Sequence, residues 1–153
     1  ITNTQSGTNV HEIADGIFRI NTPVEIDGAG GFSFNQYLIL DEEPLLFHTG
    51  PRKLFALVHE AVASVMPVDR LRYVGFSHVE ADECGSLNDW LRCAPHALPL
   101  CGAIAAMTSI GDLADRAPRA LHALGQEAAR LEADVAGRRA DQPWWTNSRS
   151  RWW

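Results

Sequence analysis

The chain has 153 residues, 46% of them hydrophobic, a formal net charge of −6 and a pI near 5.4. That length supports one globular domain with a real core and is short for two. Without clustered Lys and Arg there is no chain-wide electrostatic reason to bind phosphate backbones or anionic lipid, so neither nucleic acid nor membrane is an expected partner.

The charge is unevenly spread. Residues 1–120 hold 15 acids and 8 bases, whereas 121–153 hold 4 and 5, which sets the last 33 residues apart in composition. No apolar run reaches the ~18 residues that a bilayer demands, and Ile1-Thr2-Asn3-Thr4 has neither the basic nor the apolar stretch of a secretory signal. A cytoplasmic location is the expectation. The three cysteines, Cys84, Cys93 and Cys101, form no CxxC pair and read as reduced thiols, with Cys93 and Cys101 expected in the core. Cys84 abuts a run of acids, which would raise its pKa and oppose a thiolate ligand role.

In chain order, Ile17-Phe18-Arg19-Ile20 and the alternating Phe32, Phe34, Leu38 and Leu40 predict a hairpin around the glycines at 28, 30 and 31. The glycine cluster is not a phosphate cradle, because a strand and not a helix follows it. Pro44 to Phe47 is a third apolar run, ending at His48-Thr49-Gly50. Pro51 then opens a helix to about Met66, with Leu54, Leu57, Val58, Ala61, Val62 and Val65 on one face and His59 on the solvent side.

Leu71 to Phe76 returns to strand. A short helix with Leu87, Trp90 and Leu91 inward and Ser86 as N-cap follows, closed by Pro95. Ala97 to Cys101 predicts a buried strand, and Ala103 to Ile110 another short helix. The order implies an α/β layer with crossovers, preceded by an antiparallel hairpin.

Between the strand at 71–76 and the helix at 87 lies His78-Val79-Glu80-Ala81-Asp82-Glu83-Cys84. One imidazole and three carboxylates in six residues suit a hard or borderline divalent cation, and carboxylates can bridge two such ions. The plainer alternative is a solvated first helical turn, where acids are favoured by the helix dipole.

That motif at that point in the element order resembles the metallo-β-lactamase fold superfamily, over roughly residues 10–120. Its hydrolases carry HxHxDH after the fourth strand. Glu in place of the second His, as in His78-x-Glu80-x-Asp82, resembles the flavodiiron-type, oxygen-binding di-iron branch. The resemblance implies an α/β fold, the N-terminal half of an αββα sandwich. It also implies metal ligation by His78, Glu80, Asp82 and Glu83, and two metal ions, iron ahead of zinc.

The departures are specific. The family pattern has His where Glu83 stands, and often Asp before Thr-Gly where His48 stands, which reads here as a structural residue. The later His and Asp ligands of the family have no recognisable counterpart, and His11, His59, His96 and His122 all read as non-ligands. From Leu121 an Ala- and Arg-rich helical pattern takes over, and four of the five tryptophans fall in the last ten residues.

The expectation is therefore a metallo-β-lactamase-like half at 1–120 and an atypical tail at 121–153. The tail reads as the truncated or out-of-frame end of a longer metalloprotein. Three functions remain open: a di-iron protein that binds or reduces dioxygen, a zinc hydrolase acting on a small ester, thioester or lactam, and a non-catalytic remnant. As given, the chain is expected to hold its ions poorly, to be inactive, and to expose one sheet face that would drive homo-oligomerisation.

Overall fold

Strand alternation in the first forty residues produces a long antiparallel hairpin in the computed structural model, which describes residues 1–26 and 30–120. β1 (Asn9–Ala14), β2 (Ile17–Ile26) and β3 (Gly30–Ile39) form a meander, joined antiparallel to β4 (Leu45–Phe47). From there the sheet continues in parallel through β5 (Tyr73–Gly75), β6 (Leu98–Cys101) and the two-residue β7 (Arg119–Ala120). The seven strands lie in sequence order.

The parallel strands need crossovers, and helices supply them. α1 (Phe55–Ala63), preceded by a 3-10 turn at Arg52–Leu54, links β4 to β5. α2 (Ala81–Cys84) and α3 (Leu87–Cys93) link β5 to β6. α4 (Ala103–Ala105), a π-helical turn at Ala106–Ile110 and α5 (Gly111–Leu113) lead toward β7.

One face of the sheet carries the core. Ile20, Leu38, Leu46 and Val74 are fully buried there, together with Val58, Ala61 and Val62 of α1 and Trp90 and Leu91 of α3. The i, i+3, i+4 spacing of the α1 residues makes its buried stripe. Trp90 meets Phe55 edge to face, with centroids 5.3 Å apart, which locks α3 to α1.

The hairpin, the third and fourth strands and the helices α1, α3 and α4 lie where the sequence places them; α2 forms inside the acidic segment expected as a loop, and four further differences stand out. The helix predicted to 66 ends at Ala63, since the chain tightens through Ser64 into a turn before Pro67. The strand predicted at 71–76 shortens to Tyr73–Gly75, with Leu71 and Phe76 buried beyond its ends. His59 is half-buried and stacks on Trp90 at 5.8 Å rather than facing solvent. Cys93 is exposed, because it falls on the outer side of the last turn of α3, while Cys101 is buried as expected. The tail expectations, including His122 and the tryptophan cluster, lie outside the described residues.

Candidate metal centre

β5 ends at Gly75 and delivers Ser77, His78 and Glu80 to the rim of the sheet before α2 begins. Glu80 occupies the N-cap position of α2 in extended conformation and makes no capping bond with its side chain. Its carboxylate turns instead to His78, with Nε2 and Oε2 3.3 Å apart. Both side chains are exposed.

The single turn of α2 separates the next two acids. Asp82 is exposed, whereas Glu83 is half-buried and faces the turn that follows β4. There its Oε2 meets His48 Nδ1, a buried atom with no other polar partner among the described residues. His48 is the one non-glycine with positive φ among the described residues, at 63°. Such backbone persists only where the surroundings over-determine it, and here they do. His48 N donates to Gly75 O at 2.8 Å and Thr49 N donates to Glu83 O at 2.7 Å.

Ser86 completes the clamp. It holds the expected N-cap position of α3 but makes no cap; its hydroxyl donates to Thr49 O at 2.9 Å, and its N–H donates to Thr49 Oγ1 at 3.2 Å. Thr49 and Ser86 are both fully buried, so the β4–α1 turn and the acidic segment are one packed unit.

Ser77 ties the two halves of the loop together. Its hydroxyl donates to Glu83 Oε2 at 3.3 Å and lies 2.8 Å from His78 Nδ1. Ser77 Oγ thus holds the Nδ1 edge of the His78 ring, which leaves Nε2 on the side of the Glu80 carboxylate.

Electrostatics around His48 follow from this crowding. Burial, with the nearby His78 imidazole, holds His48 below the ordinary imidazole range, while Asp82 pulls the other way. Burial also pushes the Cys84 thiol up, with Asp82 adding to the effect and the hydrogen bond from its Sγ to Glu80 O at 3.3 Å opposing it.

The donor types suit a divalent cation, and within the motif His78 and Glu80 are the two that face one another. Among the described residues no three His, Cys, Asp or Glu side chains converge as a metal group. His78 and Glu80 form a pair at about the spacing of two donors roughly 2.0–2.2 Å from one ion. Glu83 is turned away from them toward His48 and Ser77.

Beside Glu80 opens a cleft of about 430 Å³, with Val79, Leu87 and Leu113 on its apolar side and Arg52, Asn88 and Arg92 on its polar side. Asp89 draws both guanidiniums in, at 3.4 Å from Arg52 Nε and in contact with Arg92. Ser77 and the His48–Glu83 contact carry no signal in the sequence: one is an unremarkable serine, the other joins positions 35 apart.

The geometry has relatives. Residues 32–107 match the sequence model of the ODP family beta lactamase. Over 82 residues the chain is 32% identical to the "Putative diflavin flavoprotein A 2" of Nostoc sp. (strain PCC 7120), a match covering 54% of this chain and 14% of that protein. Among solved structures it is similar to the rubredoxin oxygen:oxidoreductase of Desulfovibrio gigas, with TM-score 0.62, 18% identity, and coverage of 73% of this chain and 30% of that one. The flavodiiron protein of Giardia intestinalis matches with TM-score 0.58 and 22% identity, covering 69% of this chain and 29% of that one. The chain thus spans under a third of the length of each of these relatives. The segment at 32–107 is thus similar to the ODP family beta lactamase, and the chain shares the N-terminal half of the metallo-β-lactamase fold seen in these solved structures.

Proposed function

We propose that this chain supplies part of the metal site of a flavodiiron-type protein that binds or reduces dioxygen, with His78 and Glu80 as donors to an iron ion and Asp82 beside them. The observation that carries the reading is the facing of His78 Nε2 and Glu80 Oε2 at 3.3 Å within a segment matching the family. An iron ion held there would supply redox chemistry and a position for dioxygen. The chain's own part is to orient the donors: Ser77 fixes the ring of His78 through Nδ1, leaving Nε2 outward. Further donors, from outside the described residues, are required for a complete centre.

A zinc hydrolase of the same fold is the second reading. The cleft bordering Glu80 favours it, since an apolar wall of Val79, Leu87 and Leu113 facing Asn88 and the Asp89-paired arginines suits an organic substrate, which dioxygen does not need. Metal content by inductively coupled plasma mass spectrometry, on protein purified without added metal and on a His78→Ala control, separates the readings. Iron lost in the control supports the first and zinc lost in the control supports the second. Metal that is trace in both leaves the loop a non-catalytic remnant.

A further inference from the structure

Two side-chain pairs divide the acidic segment, and they differ in kind. His78 and Glu80 are exposed and held apart at 3.3 Å. His48 and Glu83 are in contact, with side chains only 15% and 20% exposed. Glu83 is held at both ends, by Ser77 at its carboxylate and by Thr49 N at its backbone carbonyl. Both contacts fall on Glu83 Oε2, so swinging this carboxylate over to the His78–Glu80 pair would break the His48 contact and the Ser77 hydrogen bond.

We infer that the His48–Glu83 pair is a structural lock in this chain, standing where the family pattern would hold a second ion. It locks the β4–α1 turn onto α2 and withdraws Glu83 from metal ligation. A half-buried carboxylate needs a hydrogen-bond donor, and here Glu83 meets the ring nitrogen of His48 across the fold. The left-handed backbone at His48 is the local cost of bringing that ring to Glu83, and the Thr49–Ser86 clamp holds it in place. The site is therefore built for one ion at most. This deepens the one-ion reading of the His78–Glu80 pair, but the lock itself is independent of whether that ion binds.

Two measurements on the full chain test it. The first is thermal unfolding, without metal, of His48→Asn, Glu83→Gln and the double variant; Asn is chosen because it tolerates positive φ. Each single variant should lower Tm by roughly 4–8 °C, and the double by no more than the worse single. Additive losses, or no loss, overturn the lock. The second is anaerobic titration with Co²⁺ followed by absorption. Wild type and Glu83→Gln should reach the same saturation, at no more than one ion per chain, and His78→Ala should abolish it. Two ions in the wild type, or loss of the ion in Glu83→Gln, overturn the inference. If wild type takes no Co²⁺ the proposed function fails, and the lock still stands or falls on the melting cycle.

Discussion

Cys101 lies at the end of β6, 2% exposed, while Cys93 one element earlier is open to solvent. Burial pushes the Cys101 thiol up, with the neighbouring Cys84 adding to the effect. In the unfolded chain that thiol ionises near its ordinary value of 9.0, whereas folded it holds its proton to higher pH. The folded state then binds more protons between the two values. The stability Cys101 contributes is full below about pH 9 and is lost as pH climbs toward the folded value. Urea titrations at pH 8 and pH 10 should show a stability drop that Cys101→Ala reduces, at a cost of about 1 kcal/mol at pH 8. Iodoacetamide at pH 8 should label Cys93 first and Cys101 last; rapid labelling of Cys101 would contradict its burial. At this scale sequence reasoning separates poorly. Cys93 and Cys101 both stand among apolar neighbours, and only the helical phase of α3 puts one outside. Likewise His78 and Glu80 were legible as a motif, but the partner of Glu83 sits 35 positions upstream.

The acidic segment as an element depends on Gly85, which ends α2 with ordinary right-handed φ. Its requirement is space and not conformation: a Cβ there would collide with the carbonyl oxygen of Ala81 and lie 3.3 Å from Arg52 N. Both obstacles are backbone and cannot rotate away. Gly85→Ala should therefore cost roughly 1–3 kcal/mol and displace α2 against the 3-10 turn at Arg52–Leu54. Gly102→Ala is the matched control. Gly102 has φ −60° and nothing within 4 Å of its would-be Cβ, so urea denaturation should find it near neutral. Equal losses in the two variants would refute the steric account. The crossover helices were legible because their apolar residues recur at helical spacing. β1 was not, since Asn9, His11, Glu12 and Ala14 give an edge strand with little apolar alternation. β7, at two residues, is too short to show a period.

Across the whole sheet, pairing register decides which apolar residues remain in need of cover. Ile20, Leu38, Leu46 and Val74 point to the helices and are fully buried. Their neighbours point the other way and align from strand to strand: Ile17 beside Ile39, Ile39 beside Leu45, Leu45 beside Tyr73, Tyr73 beside Leu98. Tyr37, Phe47 and Leu100 flank that row, and Gly75 clears room for it, since a Cβ there would press on Leu45 and Phe47 at 3.2 and 3.4 Å. All seven of the large side chains from Tyr37 through Leu100 on β3 to β6 are only half-buried. The mixed antiparallel-then-parallel order was readable from the sequence, and a sheet face in need of a partner followed from the resemblance to a fold that packs two sheets face to face. The register that joins these residues into one surface was not readable, since it is fixed by pairings between segments up to dozens of residues apart. A continuous apolar row of this width exceeds what scattered surface residues present, and such patches drive association. Sedimentation velocity at tens of micromolar should therefore show the chain self-associating. Leu45→Lys with Leu98→Lys should shift it toward monomer while far-ultraviolet circular dichroism stays unchanged, because both residues lie on the face away from α1 and α3. A monodisperse wild-type monomer would refute association through this row.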